Sequence, residues 1–188
     1  MRKTLLAVSM LAAAASVQAA ENYKIDPNHT YPNFEISHLG FSTMHGRFGK
    51  TEGELQVDWD KKTASVDIVI DAASINTGMK KRDDHLRSPD FLNAAEFPEI
   101  TYKSTKIMIH DDKTAMVEGE LTIMGVTKSV PLTVARFNCG DHPMKKGAYV
   151  CGFDAKGKIK RSDFGVKYAL PAVGDEMVLN IEVEAERQ

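Results

Sequence analysis

Residues 83–100 read DDHLRSPDFLNAAEFPEI, and this stretch is the one long interruption in a chain that otherwise alternates polar and apolar residues. Just before it, Ala72 to Gly78 reads as leaving the sheet, and Met79 to Leu86 (MKKRDDHL) has the composition for two turns of helix. Ser88-Pro89 would end that helix, because proline disfavours a helical residue before it. Ser88 or Asp90 is placed to cap a second short turn through Phe91 and Leu92. Phe91, Leu92 and Phe97 give the stretch apolar anchors. The expectation is a short helical insertion near residues 79–93 that caps one end of a structure made of strands.

Working outward, period-two patterns occur on both sides. Phe34, Ile36 and His38 share one face, and glycines 40, 46 and 49 then mark bulges or sharp bends. Glu52 to Asp60 alternates, with Leu55, Val57 and Trp59 on one face; Val66, Ile68 and Ile70 extend that face beyond the turn at Lys61-Lys62. After Pro98, Ile100 and Tyr102 have one parity and Ile107 and Ile109 the other, which predicts a bulge near Ser104. The tetrapeptide Glu52–Leu55 (EGEL) recurs at Glu118–Leu121, where a second hairpin is expected. Phe153, Ala155, Gly157 and Ile159 share a face in the next strand, and RSDFGVKY, from Arg161, reads as a turn or irregular strand. The last strand places Met177, Leu179, Ile181, Val183 and Ala185 inward and Glu182, Glu184 and Glu186 outward.

These segments amount to about eight to ten antiparallel strands, an all-β chain. One-sided sheets need a covering layer, and the chain has no helices to spare. Closure into an antiparallel β-barrel of about eight strands buries the apolar face and removes the sheet edges. Such a barrel is either filled by its own side chains or encloses one small ligand. The small inward residues Gly119, Ala155 and Gly157 lean toward the second.

The beginning of the chain is of another kind. Arg2 and Lys3, the apolar run Leu5–Val17 and the small residues around Ala19 make residues 1–19 a Sec-type signal peptide, cleaved after Ala19. The apolar run is short for a membrane span. Residues 20–188 then form a single domain in the periplasm. The chain has 24 Lys+Arg against 26 Asp+Glu, net charge −2, and losing Arg2 and Lys3 makes it more acidic. That balance gives no electrostatic case for nucleic acid. In an exported chain, Cys139 and Cys151, on either side of a turn-rich segment, are expected to form a disulfide bond.

Catalytic signatures are scarce. The six histidines (29, 38, 45, 85, 110 and 142) show neither HxH nor HExxH spacing, and no GxSxG, P-loop or GxGxxG occurs. Asp83, Asp84, His85 and Ser88 would point in different directions on a short helix, so a solvated, capped helix end is the simpler account of them than an acid–base group. The residues favour no enzyme, no catalytic cofactor and no metal. His38 keeps two readings: a histidine tied to a backbone carbonyl at the rim, or a contact for a ligand's polar head. Met108, Met116, Met124 and Met177 suit core filling, and equally a cavity for a flexible chain.

HLRSPDFLNAAEFPEI, followed by STK and GELTIMGVTKSVPL, together with FEISHLGFSTMHGRF and KIKRSDFGV, resembles the YceI-like family of exported polyisoprenoid-binding proteins. The likeness spans residues 20–188. It implies a lipocalin-like barrel that carries a long hydrophobic chain, such as a polyisoprenoid or isoprenoid quinone, with the polar head near an open mouth. Family members often form dimers. Transfer of such a lipid also implies transient membrane contact. His38, Arg82, His85, Asp90 and Phe91 match recurring family positions. Combining the resemblance with the inward parities, the expected ligand-binding set is Phe34, Ile36, His38, Phe41, Phe48, Phe91, Phe97, Tyr102, Met108, Met116, Leu121 and Phe153. The expected role is lipid transport or carriage without catalysis. The rival roles are an enzyme acting on such a lipid and a stress-related domain with a filled core.

Overall fold

The computed structural model describes residues 20–111 and 113–188. The expected signal peptide, residues 1–19, lies outside the described residues. Twelve strands carry the alternating segments: β1 (Glu21–Ile25), β2 (Tyr31–His38), β3 (Ser42–Phe48), β4 (Thr51–Asp58), β5 (Thr63–Asp71), β6 (Ile75–Asn76), β7 (Glu99–Ile109), β8 (Ala115–Ile123), β9 (Val126–Ser129), β10 (Leu132–Asp141), β11 (Tyr149–Lys160) and β12 (Val173–Arg187). One α-helix, α1 (Lys80–Arg87), and 3-10 turns at Ala72–Ser74 and Arg161–Phe164 complete the elements.

The sheet closes on itself. Its order runs β1-β4-β5-β7-β8-β10-β11-β12-β2-β3-β6, and β12 also pairs with β1. The long β12 meets β2 along its first part and β1 along its last, so β1 and β2 act as one kinked stave, as do β3 and β4. With β6 and β9 as short additions, the result is an eight-stranded antiparallel barrel. Closure satisfies the backbone groups that an open sheet would leave bare.

Several sequence expectations are met at residue level. The register of β7 against β8 shifts between Ser104 and Lys106, at the expected bulge. The shift lets Ile100 and Tyr102 face inward with Ile107 and Ile109 despite their opposite parity. Helix α1 ends at Arg87, and the Ser88 amide donates to the His85 carbonyl. The turn after it is not a second helix: the Phe91 and Asn93 amides both donate to the Ser88 carbonyl, which folds the chain back toward Pro98. Residues 72–78 do not leave the sheet entirely, because Ile75 and Asn76 pair with Phe48 and Arg47 of β3. A strand of two residues carries too little periodicity to read from sequence.

The two ends of the barrel are built differently. At the base, Tyr23, Ile25, Leu55, Val57, Cys151 and Ala185 form a buried cluster. Cys139 and Cys151 stand opposite one another on β10 and β11 and are disulfide-bonded. Beside them Trp59 stacks on Phe137, and Phe137 lies against Phe153. The opposite, upper end carries the β2–β3 hairpin tip, α1 and the segment after Arg161. Arg161 is buried there, where its guanidinium donates to the carbonyls of Gly174, Val166 and Val173. Burial pushes its pKa down, although the Asp175 carboxylate works against that.

Candidate functional site

Inward-facing residues of a filled barrel are sealed from solvent. Here Val66, Ile68, Met177, Leu179, Ile181 and Val183 face the axis by register, and each is only partly buried. They border a cavity of about 490 Å³, within the size range of small-molecule sites. Its wall is overwhelmingly apolar and draws on nearly every stave, from Val57, Trp59 and Phe137 at the base to His38, Met44 and Val173 at the upper end.

Glycines shape this space indirectly. A Cβ on Gly46 would sit 2.3 Å from the Phe34 ring, one on Gly119 2.5 Å from the Tyr102 ring, and one on Gly157 2.5 Å from Leu132 Cδ2. Gly119 and Gly157 therefore do not leave room directly, as their parity suggests. Instead, each bare backbone lets a large neighbour lie flat against the wall, and the freed space is at the axis. Tyr102 ends in a hydrogen bond from its hydroxyl to the Val130 carbonyl, 3.0 Å long. Burial pushes its pKa up to about 12.

Polar groups gather at the upper end. Arg82, His38, His45 and His85 all border the cavity. Thr77 holds Arg82 by accepting from Nε at its hydroxyl and from Nη2 at its carbonyl, both at 2.7 Å. The buried Asp83 carboxylate accepts from the Thr77 amide and hydroxyl, so this corner is rigid. His85 Nε2 pairs with Asp90 at 2.9 Å, and its ring contacts Phe91 and Tyr168 with centroids 5.0 and 5.1 Å away. Phe91 and Tyr168 also touch, at 5.1 Å, completing an aromatic triangle over one side of the opening. Asp84 is taken up by Lys80 and Arg87, so Asp83, Asp84 and His85 serve separate structural contacts and form no acid–base group.

Of the expected ligand-binding residues, Phe34, Ile36, His38, Phe48, Phe91, Tyr102, Leu121 and Phe153 border the cavity. Four do not. Met108 and Met116 face each other across β7 and β8 on the outer surface, because the bulge turns Ile107 and Ile109 inward instead. Phe97 packs over Gly125 at the β8–β9 turn. Phe41 projects from the β2–β3 turn, 90% exposed. Sequence reasoning misses Tyr168 and Met44: the first lies in an aperiodic segment, and the second shares its face of β3 with Phe48 but is separated from it by Gly46, which the sequence reads as a bend. For His38, no hydrogen bond ties the ring to protein among the described residues, and the ring stands at the cavity's edge. Away from the cavity wall, Asp26, His29 and Glu184 bring ligand-type atoms within 4.8 Å of one another. There partial burial pulls the Asp26 carboxyl pKa up, but the 2.7 Å bond to His29 Nδ1 and the Asn28 amide together bring it below its usual value, and the same bond raises that of the imidazole.

Residues 23–185 match the family model described as the YceI-like domain. Protein YceI of Escherichia coli O157:H7 is 39% identical over 194 residues, covering all of both chains. The crystal structure of Burkholderia cenocepacia BcnA superposes with a TM-score of 0.71 at 24% identity, covering 85% of this chain and 98% of that one. A polyisoprenoid binding domain from Saccharophagus degradans, implicated in plant cell wall breakdown, does so with a TM-score of 0.65 at 17% identity, covering 88% and 98%.

Proposed function

This chain belongs to the YceI-like domain family, and from that premise we propose that it is a periplasmic, non-catalytic carrier of a long isoprenoid-type lipid held in the barrel lumen. The observation that carries the reading is the hollow apolar axis, with the cationic and imidazole side chains of its wall, His38, His45, Arg82, His85 and Arg161, gathered toward one end. A polyisoprenoid or isoprenoid quinone is built the same way, as an oily chain with one polar head. Each buried CH₂ contributes about 0.8 kcal/mol, so length and dryness supply affinity and a single polar contact sets direction. The name of the Saccharophagus degradans domain supports this ligand class.

In this reading residues 1–19 are a cleaved signal peptide and 20–188 the binding domain, and the disulfide fits an oxidising compartment. The lipid tail lies along Phe34, Phe48 and Tyr102 toward Phe153, with its head beside His38, Arg82 and His85. Loading and release bring the protein transiently to a membrane.

Native mass spectrometry of the exported protein, before and after organic extraction, tests the assignment. A bound lipid of defined mass that disappears on extraction is the expected result. Ile181→Arg, a charge at mid-lumen, is expected to lower occupancy at least tenfold, and Phe34 or Phe91 made charged to lower it more than His85→Ala. Equal occupancy in all these variants would remove the lumen from the account. Incubation should return the lipid unchanged; a changed mass would favour an enzyme.

A further inference from the structure

The most exposed aromatic side chain among the described residues stands on a hairpin tip at the upper end of the barrel. Phe41 is 90% exposed, and Leu39, two residues before it, is 51% exposed. The turn is tight: the Phe41 amide donates to the His38 carbonyl, and Leu39 and Gly40 have φ of 55° and 72°. Left-handed turn positions ordinarily hold Gly, Asn or Asp. A leucine there presents an oily side chain to water from a backbone conformation that leucine disfavours.

The tip stands at the upper end of the barrel. His38, at its base, pairs with Val173, and both border the cavity. The Leu39 amide donates to the Ala172 carbonyl at 2.8 Å, joining the tip to the segment that carries Tyr168. Tyr168 is itself half-exposed and contacts Phe91 and His85 at the opening. Leu39, Phe41 and Tyr168 thus form an apolar crest continuous with the cavity's upper rim. Two cations accompany it: Lys81 on α1 and Lys167 next to Tyr168, neither in an ion pair among the described residues. Of the nearby carboxylates, Asp84 is paired with Lys80 and Arg87 and Asp90 bonds His85, while Asp163, four residues before Lys167, is exposed and in no ion pair among the described residues.

We propose that this crest is a membrane-docking surface: Leu39, Phe41 and Tyr168 enter the acyl boundary of an anionic bilayer while Lys81 and Lys167 meet lipid headgroups. The occupant follows from continuity and charge. A long isoprenoid chain cannot cross water cheaply, so a lumen that opens beside an inserted apolar tip lets the lipid pass from acyl chains to cavity wall directly. Aromatic side chains flanked by lysine are the residues that settle at membrane interfaces. The proposal rests on the carrier reading for its purpose, and its test is independent of that reading.

Trp59 is the sole tryptophan and lies at the base, at the opposite end from the tip. It is therefore a built-in control. Among the described residues the barrel closes on itself, with β12 pairing to β1, so residues 20–188 are the species to use. In Phe41→Trp carrying Trp59→Phe, tryptophan emission should shift to the blue and be quenched by vesicles of phosphatidylglycerol and phosphatidylethanolamine with brominated acyl chains. Unsubstituted protein, reporting through Trp59, should show neither change. Vesicles of phosphatidylcholine alone should act more weakly, and Phe41→Asp should lower vesicle binding about tenfold or more. Emission from the introduced tryptophan that vesicles leave unchanged would overturn the proposal. So would a blue shift without vesicles that grows with protein concentration, the mark of a second copy. Phe41→Asp should still take up a polyprenyl alcohol from detergent as the unsubstituted protein does. Loss of that uptake would place Phe41 in the lumen and overturn the docking role. Docking without any lipid uptake would sink the carrier reading alone.

Discussion

At the scale of single residues, the wall of the lumen depends on contacts that leave no slack. Gly119→Ala would put a methyl into the Tyr102 ring and strain its bond to Val130. Overpacking of this kind costs about 1–3 kcal/mol, so chemical denaturation of the variant should show a lowered midpoint with an unchanged slope. Tyr102 also makes an alkaline prediction. An unfolded tyrosine loses its proton near pH 10, while burial pushes Tyr102 up to about 12 in the barrel. Tyr23, buried at the base and donating to Glu21, is likewise pushed up to about 12, chiefly by burial. Each acid therefore holds its proton more firmly when folded. Their stabilisation is complete below pH 10 and is lost as pH rises toward 12, by on the order of 2 kcal/mol per group. Tyr102→Phe should flatten that fall in an unfolding-against-pH series; an unchanged slope would contradict the assignment.

At the scale of elements, the two ends of the barrel are held by different chemistry. The Cys139–Cys151 bond spans 12 residues of sequence at the base, and such loops are worth roughly 3 kcal/mol through the unfolded state. Reduction, or the double change to alanine, should lower the melting temperature while lipid occupancy persists, because the cavity's polar end is remote from it. At the upper end, Arg161 joins the turn after β11 to the start of β12 through three carbonyls. Lysine cannot reproduce that fork. Arg161→Lys is therefore expected to raise hydrogen exchange in residues 165–175 ahead of the rest of the chain, and uniform protection would refute the anchoring role. This contact is not legible in the sequence. RSDFGVKY has no periodicity, and a buried arginine satisfied by backbone carbonyls looks, as sequence, like an exposed one. The bulge at Ser104 is legible, because a change of parity within one strand is itself a sequence signal.

At the scale of the molecule, closure and hollowness are separate properties. Closure follows from about eight alternating segments and the shortage of covering helices. Hollowness depends on where large side chains lie. Phe34 over Gly46 and Tyr102 over Gly119 are pressed against the wall, which leaves the axis open. Ala155→Trp, which points a large ring inward from β11, should fill that space, reduce lipid occupancy severalfold and leave the fold intact by circular dichroism. A protein that keeps full occupancy with the ring in place would show that the lipid binds elsewhere. Ligand held in the native barrel alone should raise the melting temperature with concentration.

The amino-acid sequence by itself determined the all-β class, the inward faces of most of the long strands, the helical interruption, the disulfide pair and the family, because period-two alternation and motif order are local properties. Only the tertiary structure decided that Met108 and Met116 lie outside, that Phe41 stands in solvent, and that Tyr168, Arg82 and His85 meet at one rim. Those outcomes depend on strand register and on which residues far apart in the chain share a wall, and neither is encoded in the spacing of any one segment.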